Sequence, residues 1–191
     1  MTVATKRWTL AEYLTYDDGS DSHRYELENG EIIRMPSESH LNQAIAVFLL
    51  FAFGEFVPRS LLRWATEIET SGSGATVRIP DIMLLTEELD EAMKGASRGL
   101  VRADMPSPQI VVEIVSPGKK NQDRDYRYKR SEYAARGILE YWVVDPKQAH
   151  IIILVLVDGL YEEAVFTGQQ RIESATFPQL DLTAGQVLQI T

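Results

Sequence analysis

The sequence predicts an α/β fold in which a mixed β-sheet is flanked by helices, with additional β-hairpins. Three observations carry this expectation. Short apolar runs bounded by turn residues recur along the chain, two segments repeat apolar residues at helical spacing, and the order is hairpin, helix, several strands, helix, strands. That order fits a sheet covered by helices and does not fit a regular βαβ winding. With 191 residues, 45% hydrophobic and 25% charged, the chain has the size of one domain with a full core. The expected domain spans 1–191, since no repeat or linker separates a second.

Each element has its own signal. Arg24 to Met35 reads as a hairpin, because Tyr25 and Leu27 precede Glu28-Asn29-Gly30 and Ile32-Ile33 follow it; Asn-Gly is a strong hairpin turn. Glu38 to Phe56 carries Leu41, Ala44, Ile45, Phe48, Leu49, Ala52 and Phe56 at spacings of three and four, an amphipathic helix after a Pro36-Ser37 start. His40 falls at the edge of its apolar face. A strand is expected over Leu62 to Thr70, then a flexible loop at Ser71-Gly72-Ser73-Gly74, then a strand over Arg78 to Leu85. Thr86 to Gln109 is mostly polar and reads as a long connection holding a short helix from Glu87 to Lys94. Ile110 to Val115 is a second apolar strand. A helix from about Asp123 to Arg136 follows, with Asn121 or Asp123 as cap and Gly137 as stop, and Ile138 to Val144 is a strand behind it. Ile151 to Val157, the Asp158-Gly159 turn and Tyr161 to Phe166 form a second hairpin. The tail from Phe177 has weaker strand signals.

Composition narrows the chemistry. The chain has no cysteine, which removes disulfides, thiolate nucleophiles and cysteine-bound zinc, so a metal would need oxygen or imidazole ligands. The longest apolar run, Ile151 to Val157, is far below the roughly 20 residues that span a bilayer. Met1 to Leu10 holds two basic residues without an apolar stretch behind them, unlike a secretory signal, so a cytoplasmic location without membrane attachment is expected. The net charge of −9 repels phosphate globally. It is unevenly distributed, however: Lys119 to Arg136 nets +4, leaving −13 for the rest. This strip is the expected contact for nucleic acid.

Two acids interrupt apolar strands: Asp81 in Arg78-Ile79-Pro80-Asp81-Ile82-Met83-Leu84-Leu85, and Glu113 in Ile110-Val111-Val112-Glu113-Ile114-Val115. A buried carboxylate needs a partner, a metal or a proton role. If the strands are neighbours the two converge as an oxygen site suited to Mg²⁺ or Mn²⁺. Phosphate hydrolysis at such a site gains from a cation that orients water or stabilises developing charge. In the helix after Glu113, the residues Tyr126, Lys129, Arg130 and Tyr133 share one face, which lets Lys129 point back at the strand ends. Read alone, Asp81 is also a turn residue, Glu113 a salt-bridge partner of Arg78 or Lys129, Lys129 a solvated helix residue, and the Tyr126 and Tyr133 pair helix packing.

Ile79-Pro80-Asp81 with Val112-Glu113-Ile114 resembles the PD-(D/E)xK nuclease superfamily. Together with Tyr25-Glu26-Leu27, Gly30, His40, Ser116-Pro117, Lys129, Tyr133, Gly137 and Glu140-Tyr141-Trp142-Val143-Val144-Asp145-Pro146, the pattern resembles the Uma-two family of restriction-endonuclease-like proteins over most of the chain. The resemblance implies a restriction-endonuclease-like fold and Mg²⁺-dependent cleavage of phosphodiesters, with DNA as the expected substrate and Asp81 and Glu113 as ligands. It also implies an additional metal or water ligand at Glu26 and a water-orienting or substrate role for His40; otherwise these read as an exposed strand acid and a helix-start residue. The superfamily places its lysine two residues after the second acid, where this chain has Val115; the resemblance hands that role to Lys129. Val115 and the acidic body motivate an alternative, a catalytically weak or inactive nuclease-fold module that binds nucleic acid or protein. A small-molecule phosphate hydrolase ranks third. Fold analogy suggests a homodimer.

Overall fold

A computed structural model describes residues 6–20, 23–118 and 123–189. Two runs that the sequence presents as single strands are each divided in it. Thr76–Arg78 (β5) and Ile82–Leu84 (β6) are separated at Pro80, which lacks the amide that would continue the ladder. Leu62–Trp64 (β3) and Glu67–Thr70 (β4) are separated at Ala65, which adopts φ 49°. The two breaks face one another, so one antiparallel ribbon leaves the first sheet and enters the second: Ile68 pairs with Arg78 in one, and Trp64 with Ile82 in the other. Asp81 sits at this bend.

The smaller sheet has the order β2-β1-β5-β4-β7. Its hairpin joins β1 (Tyr25–Glu28) to β2 (Glu31–Arg34) through Asn29 and Gly30, both at positive φ, as a two-residue primed turn requires. The next loop is tied down rather than flexible, because the Ser73 amide donates to Asn29 Oδ1. The long polar connection contributes β7 (Leu100–Val101), which runs parallel to β4, and the short helix Glu87–Ala92, here α3. A first helix, α1 (Leu10–Leu14), is closed by a capping box between Thr9 and Glu12. Five residues are too few to show a helical period, and the sequence reading passed over it.

The larger sheet has the order β11-β10-β9-β8-β6-β3. Parallel pairing joins β8 (Ile110–Ile114) to β9 (Glu140–Asp145); β9 also pairs with β10 (His150–Val157), which forms the second hairpin with β11 (Leu160–Thr167). Alternation along each strand assigns its residues to two faces. Ile82, Val112, Trp142 and Ile153 pack under Ile45, Leu49 and Phe53 of helix α2 (His40–Phe53), together with Ile172, Phe177 and Val187 from the tail. Met83, Val111, Val143 and Leu154 face the other way, with Tyr133 and Ile138. Both faces are thus covered, as the sequence predicts.

Two details differ from the sequence reading. The tail after Phe177 holds the short helix α5 (Ala184–Leu188) and an isolated Arg171–Thr183 bridge in place of strands. The helix before Gly137 is α4 (Lys129–Arg136), entered through one π-helical turn, Arg124–Tyr128. Asp123 makes no side-chain cap there; Asn121 lies outside the described residues. Gly137 ends α4 at φ 79°, the left-handed stop that glycine supplies.

Candidate active site

Everything that approaches Glu113 follows from strand parity and the π turn. Val111, Glu113 and Val115 share the face of β8 that α4 covers, so a side chain from that helix meets the acid directly. The Tyr133 hydroxyl donates to Glu113 Oε1 at 2.6 Å. Lys129 Nζ stands 2.8 Å from Glu113 Oε2, 3.4 Å from Glu26 Oε1 and 3.5 Å from Asp125 Oδ1. None of the three is aligned as a hydrogen bond: the ammonium is held by charge, and its N–H groups are uncommitted. Burial lowers the proton affinity of Lys129, but the three carboxylates overcome that and hold it above the ordinary lysine range. Val115 is fully packed in the core on the same face.

Asp81 reaches the same place from the bend. Its Oδ2 accepts the amide of Ile114 at 2.6 Å, the residue that follows Glu113 and lies two residues beyond the last β6–β8 pair, Ile82 with Val112. Burial pushes the Asp81 carboxyl up to about 7; the Ile114 amide opposes this and nearby Glu38 adds to it. Burial likewise raises Glu113 well above its usual range, opposed by Lys129 and reinforced by Asp125, Asp81 and Glu26. Buried Glu113 and half-buried Asp81, lifted together in this way, have the electrostatics of a site that gains by taking up a cation.

Glu26 is placed differently. It is fully buried, and both its oxygens are engaged: Oε2 accepts from Arg78 Nη1 at 3.0 Å, while Oε1 accepts the Ile79 amide at 3.0 Å and faces Lys129. Burial raises its pKa, but Lys129 and Arg78 prevail and hold it down at about 2. Arg78 is saturated in turn, with Glu132 at 2.7 and 2.8 Å and Glu28 at 3.1 Å. His40 is exposed on the first turn of α2, and among the described residues no hydrogen bond or ion pair links it to the acids. The helix contributes Asn42 instead, whose Nδ2 donates to Ile114 O and Glu38 Oε2 at 3.3 Å and to Ser116 Oγ at 3.4 Å.

Asp125, Glu38, Asn42 and the Arg78–Glu132 pair were not singled out from sequence. Asp125 had a signal, its four-residue offset from Lys129; the others sit at positions that read as ordinary helix or strand. The shared face of Tyr126, Lys129, Arg130 and Tyr133 is only half realised. Tyr126 turns to Asp145 and His150, at 2.9 and 2.7 Å, and Arg130 to Glu163 and the Tyr161 carbonyl, because the π turn offsets the first residues from α4. The basic strip is largely consumed as well. Arg124 pairs with Asp125, Arg136 donates to Ser107 and to the carbonyls of Arg102 and Met105, and Lys129 is buried. Arg127 is exposed, and Lys119 and Lys120 lie outside the described residues.

Among the described residues no group of three His, Asp or Glu side chains is arranged to cage a metal ion. Asp81 and Glu113 fit a different kind of site. Mg²⁺ is commonly bound through one or two carboxylates, with water and substrate phosphate completing its shell.

A mixed sheet with helices on both faces, bringing two acids and a lysine together at the end of a central strand, defines a restriction-endonuclease-like nuclease fold. The chain belongs to the Uma2 family, described as "Putative restriction endonuclease", whose profile matches residues 10–185. It is similar in structure to "a putative nuclease belonging to DUF820 from Anabaena variabilis ATCC 29413", with a TM-score of 0.71 and 17% identity over 95% of this chain and 97% of that one. No curated protein matches. Among the described residues no helix is long and apolar enough to cross a membrane.

Proposed function

We propose that the chain is a metal-dependent endonuclease that hydrolyses phosphodiester bonds, with DNA as its substrate. The observation that carries this reading is the convergence of Asp81, Glu113 and Lys129. Asp81 and Glu113 would hold Mg²⁺ or Mn²⁺. When bound, the cation supplies Lewis acidity and neutralises charge on the phosphate. The uncommitted N–H groups of Lys129 orient the attacking water or meet the charge that develops on phosphate oxygen. Tyr133 fixes the Glu113 carboxylate. Glu26 acts on Lys129, holding the ammonium over Glu113; Arg78 and the Ile79 amide hydrogen-bond its two oxygens, whereas Glu113 accepts one hydrogen bond, from Tyr133, so Glu26 serves as a positioning residue and not a third ligand. The position of Lys129 favours this reading over an inactive binding module, because the cation missing at Val115 arrives from the helix.

The test is cleavage of plasmid, linear duplex and single-stranded DNA with Mg²⁺ or Mn²⁺ by the wild type, Asp81→Asn and Glu113→Gln. Each variant is expected to lose at least about a hundredfold in rate, in the range seen when one charge-stabilising group is removed. A wild type that cuts neither DNA nor RNA, or variants that cut normally, would sink the assignment.

Acidity gives a second test. The raised pKa of Asp81 favours its protonated form in the folded chain, so its contribution to stability is complete below the ordinary aspartate range and is lost as pH rises through about 7. Glu26, depressed to about 2, contributes above its ordinary range and stays constant over that interval. The metal-free protein is therefore expected to melt several degrees lower at pH 8 than at pH 5, and Mg²⁺ to restore more stability at pH 8. Calorimetric scans with and without the ion check both signs.

A further inference from the structure

The strip expected to meet phosphate is mostly occupied by protein partners, so the path of a substrate must be sought elsewhere. Arg24 and Arg34 stand side by side at the open ends of the first hairpin, where the Met35 amide donates to the Arg24 carbonyl at 2.8 Å. Both are exposed, and among the described residues neither guanidinium has a hydrogen bond or ion pair. Arg24 lines three adjoining cavities. One, a narrow crevice of about 10 Å³, is lined by Asp81, Met35, Glu38 and Pro80. A second, of about 470 Å³, adds Arg34, Ser37 and Gln43. The third, of about 390 Å³, adds Tyr16, Tyr25 and Arg98. The Tyr16 and Tyr25 rings meet edge to face at 5.1 Å. Behind this wall the Arg124 guanidinium, paired with Asp125, touches Met35 Sδ at 3.8 Å.

The lining carries acids as well, Glu38, Glu67 and Asp81, and Glu67 pairs with Arg98; the two arginines without acidic partners and the aromatic wall suit a single nucleic-acid strand, whose phosphates need charge and whose bases need a flat surface. In a duplex the bases are paired and stacked on one another, leaving no face free for the tyrosines, whereas an unpaired strand offers one. We propose that this cleft binds one nucleic-acid strand, with phosphates on Arg24 and Arg34 and a base against Tyr16 and Tyr25, so that the backbone passes Asp81. The proposal rests on the nuclease reading of the adjoining acids and adds the path and the strandedness of the substrate.

The test is fluorescence anisotropy with a labelled short DNA strand, and with its duplex, in EDTA so that cutting is blocked. Arg24→Ala/Arg34→Ala is expected to weaken strand binding about tenfold or more and to flatten the salt dependence by about 1.4, at roughly 0.7 per lost phosphate contact. Arg127→Ala, exposed and outside the cleft, is expected to bind as the wild type does. The arginines are on the surface, and an unchanged melting temperature confirms that the double variant folds. The proposal is overturned if the double variant binds within about twofold of wild type, if Arg127→Ala loses as much, or if the wild type prefers the duplex or binds neither. If strand binding depends on the two arginines but nothing is cut with Mg²⁺ or Mn²⁺, the cleft stands and the nuclease reading fails. If the double variant binds and cuts normally, the cleft fails and the nuclease reading stands.

Discussion

Lys129→Met is expected to abolish cutting and to destabilise the fold by about 3–5 kcal/mol at pH 8, the loss typical when one member of a buried ion pair is removed. Methionine keeps the length and the apolar stem, so the change isolates the charge. Without the ammonium, Glu113, Glu26 and Asp125 share a dry pocket. They relieve their repulsion by taking up protons, and the destabilisation shrinks as pH falls. Denaturant melts at pH 8 and pH 5 measure that difference directly. Two further variants separate structure from chemistry. Lys129→Met/Glu113→Gln removes both members of the closest pair and regains part of the stability without regaining any cutting. Lys129→Arg keeps the charge, but its planar fork does not reproduce a compact ammonium, so stability survives better than rate. Normal cutting by Lys129→Met would place the cation's role elsewhere.

Arg78→Met is expected to cost as much in stability and to reduce cutting without touching the acids that would hold the metal. Arg78 is fully buried and carries four hydrogen bonds to three carboxylates, so its loss leaves Glu132 without its cation and Glu26 with Lys129 alone. The effect reaches Lys129 by two routes. Glu26 loses the partner that fixes its second oxygen, and Glu132, on the same helix as Lys129, loses its tie to β5. A catalytic rate that falls while Mg²⁺ affinity holds, in a variant still folded at low temperature, is the signature of a displaced lysine. If Mg²⁺ affinity collapses together with the rate, Arg78 supports the acid pair itself.

The strand acids, both hairpins, α2 and the left-handed stop at Gly137 were legible because each is local: alternation, three- and four-residue spacing, Asn-Gly, a carboxylate in an apolar run. Lys129 was legible only through resemblance, since its offset of sixteen residues from Glu113 carries no periodic signal. The division of the two long strands was harder to see. Pro80 marks one break, but its partner at Ala65 carries no turn residue and follows from the geometry of the opposing strand. Glu26 illustrates a different limit. Its type and position suit a metal ligand, and its hydrogen bonds to Arg78 and the Ile79 amide are set by neighbours that no local pattern names. The charge strip shows a related limit: net charge counts side chains irrespective of what they touch, and most of those described between Arg124 and Arg136 touch protein.

The tail that closes the larger sheet bears on how the chain reaches this state. Ile172, Phe177, Leu180 and Val187 cover the same sheet face as α2, and Glu140 on the central strand β9 accepts both the Trp142 indole and the Thr176 amide. During synthesis, α2 and the strands are made well before these residues emerge. Until then part of an apolar sheet face stays open, and contacts between α2 and the tail must close loops of more than a hundred residues. Such distant contacts slow folding and prolong the exposure of aggregation-prone surface. Folding yield during translation is thus tied to residues 172–187, far in sequence from every residue that would do chemistry.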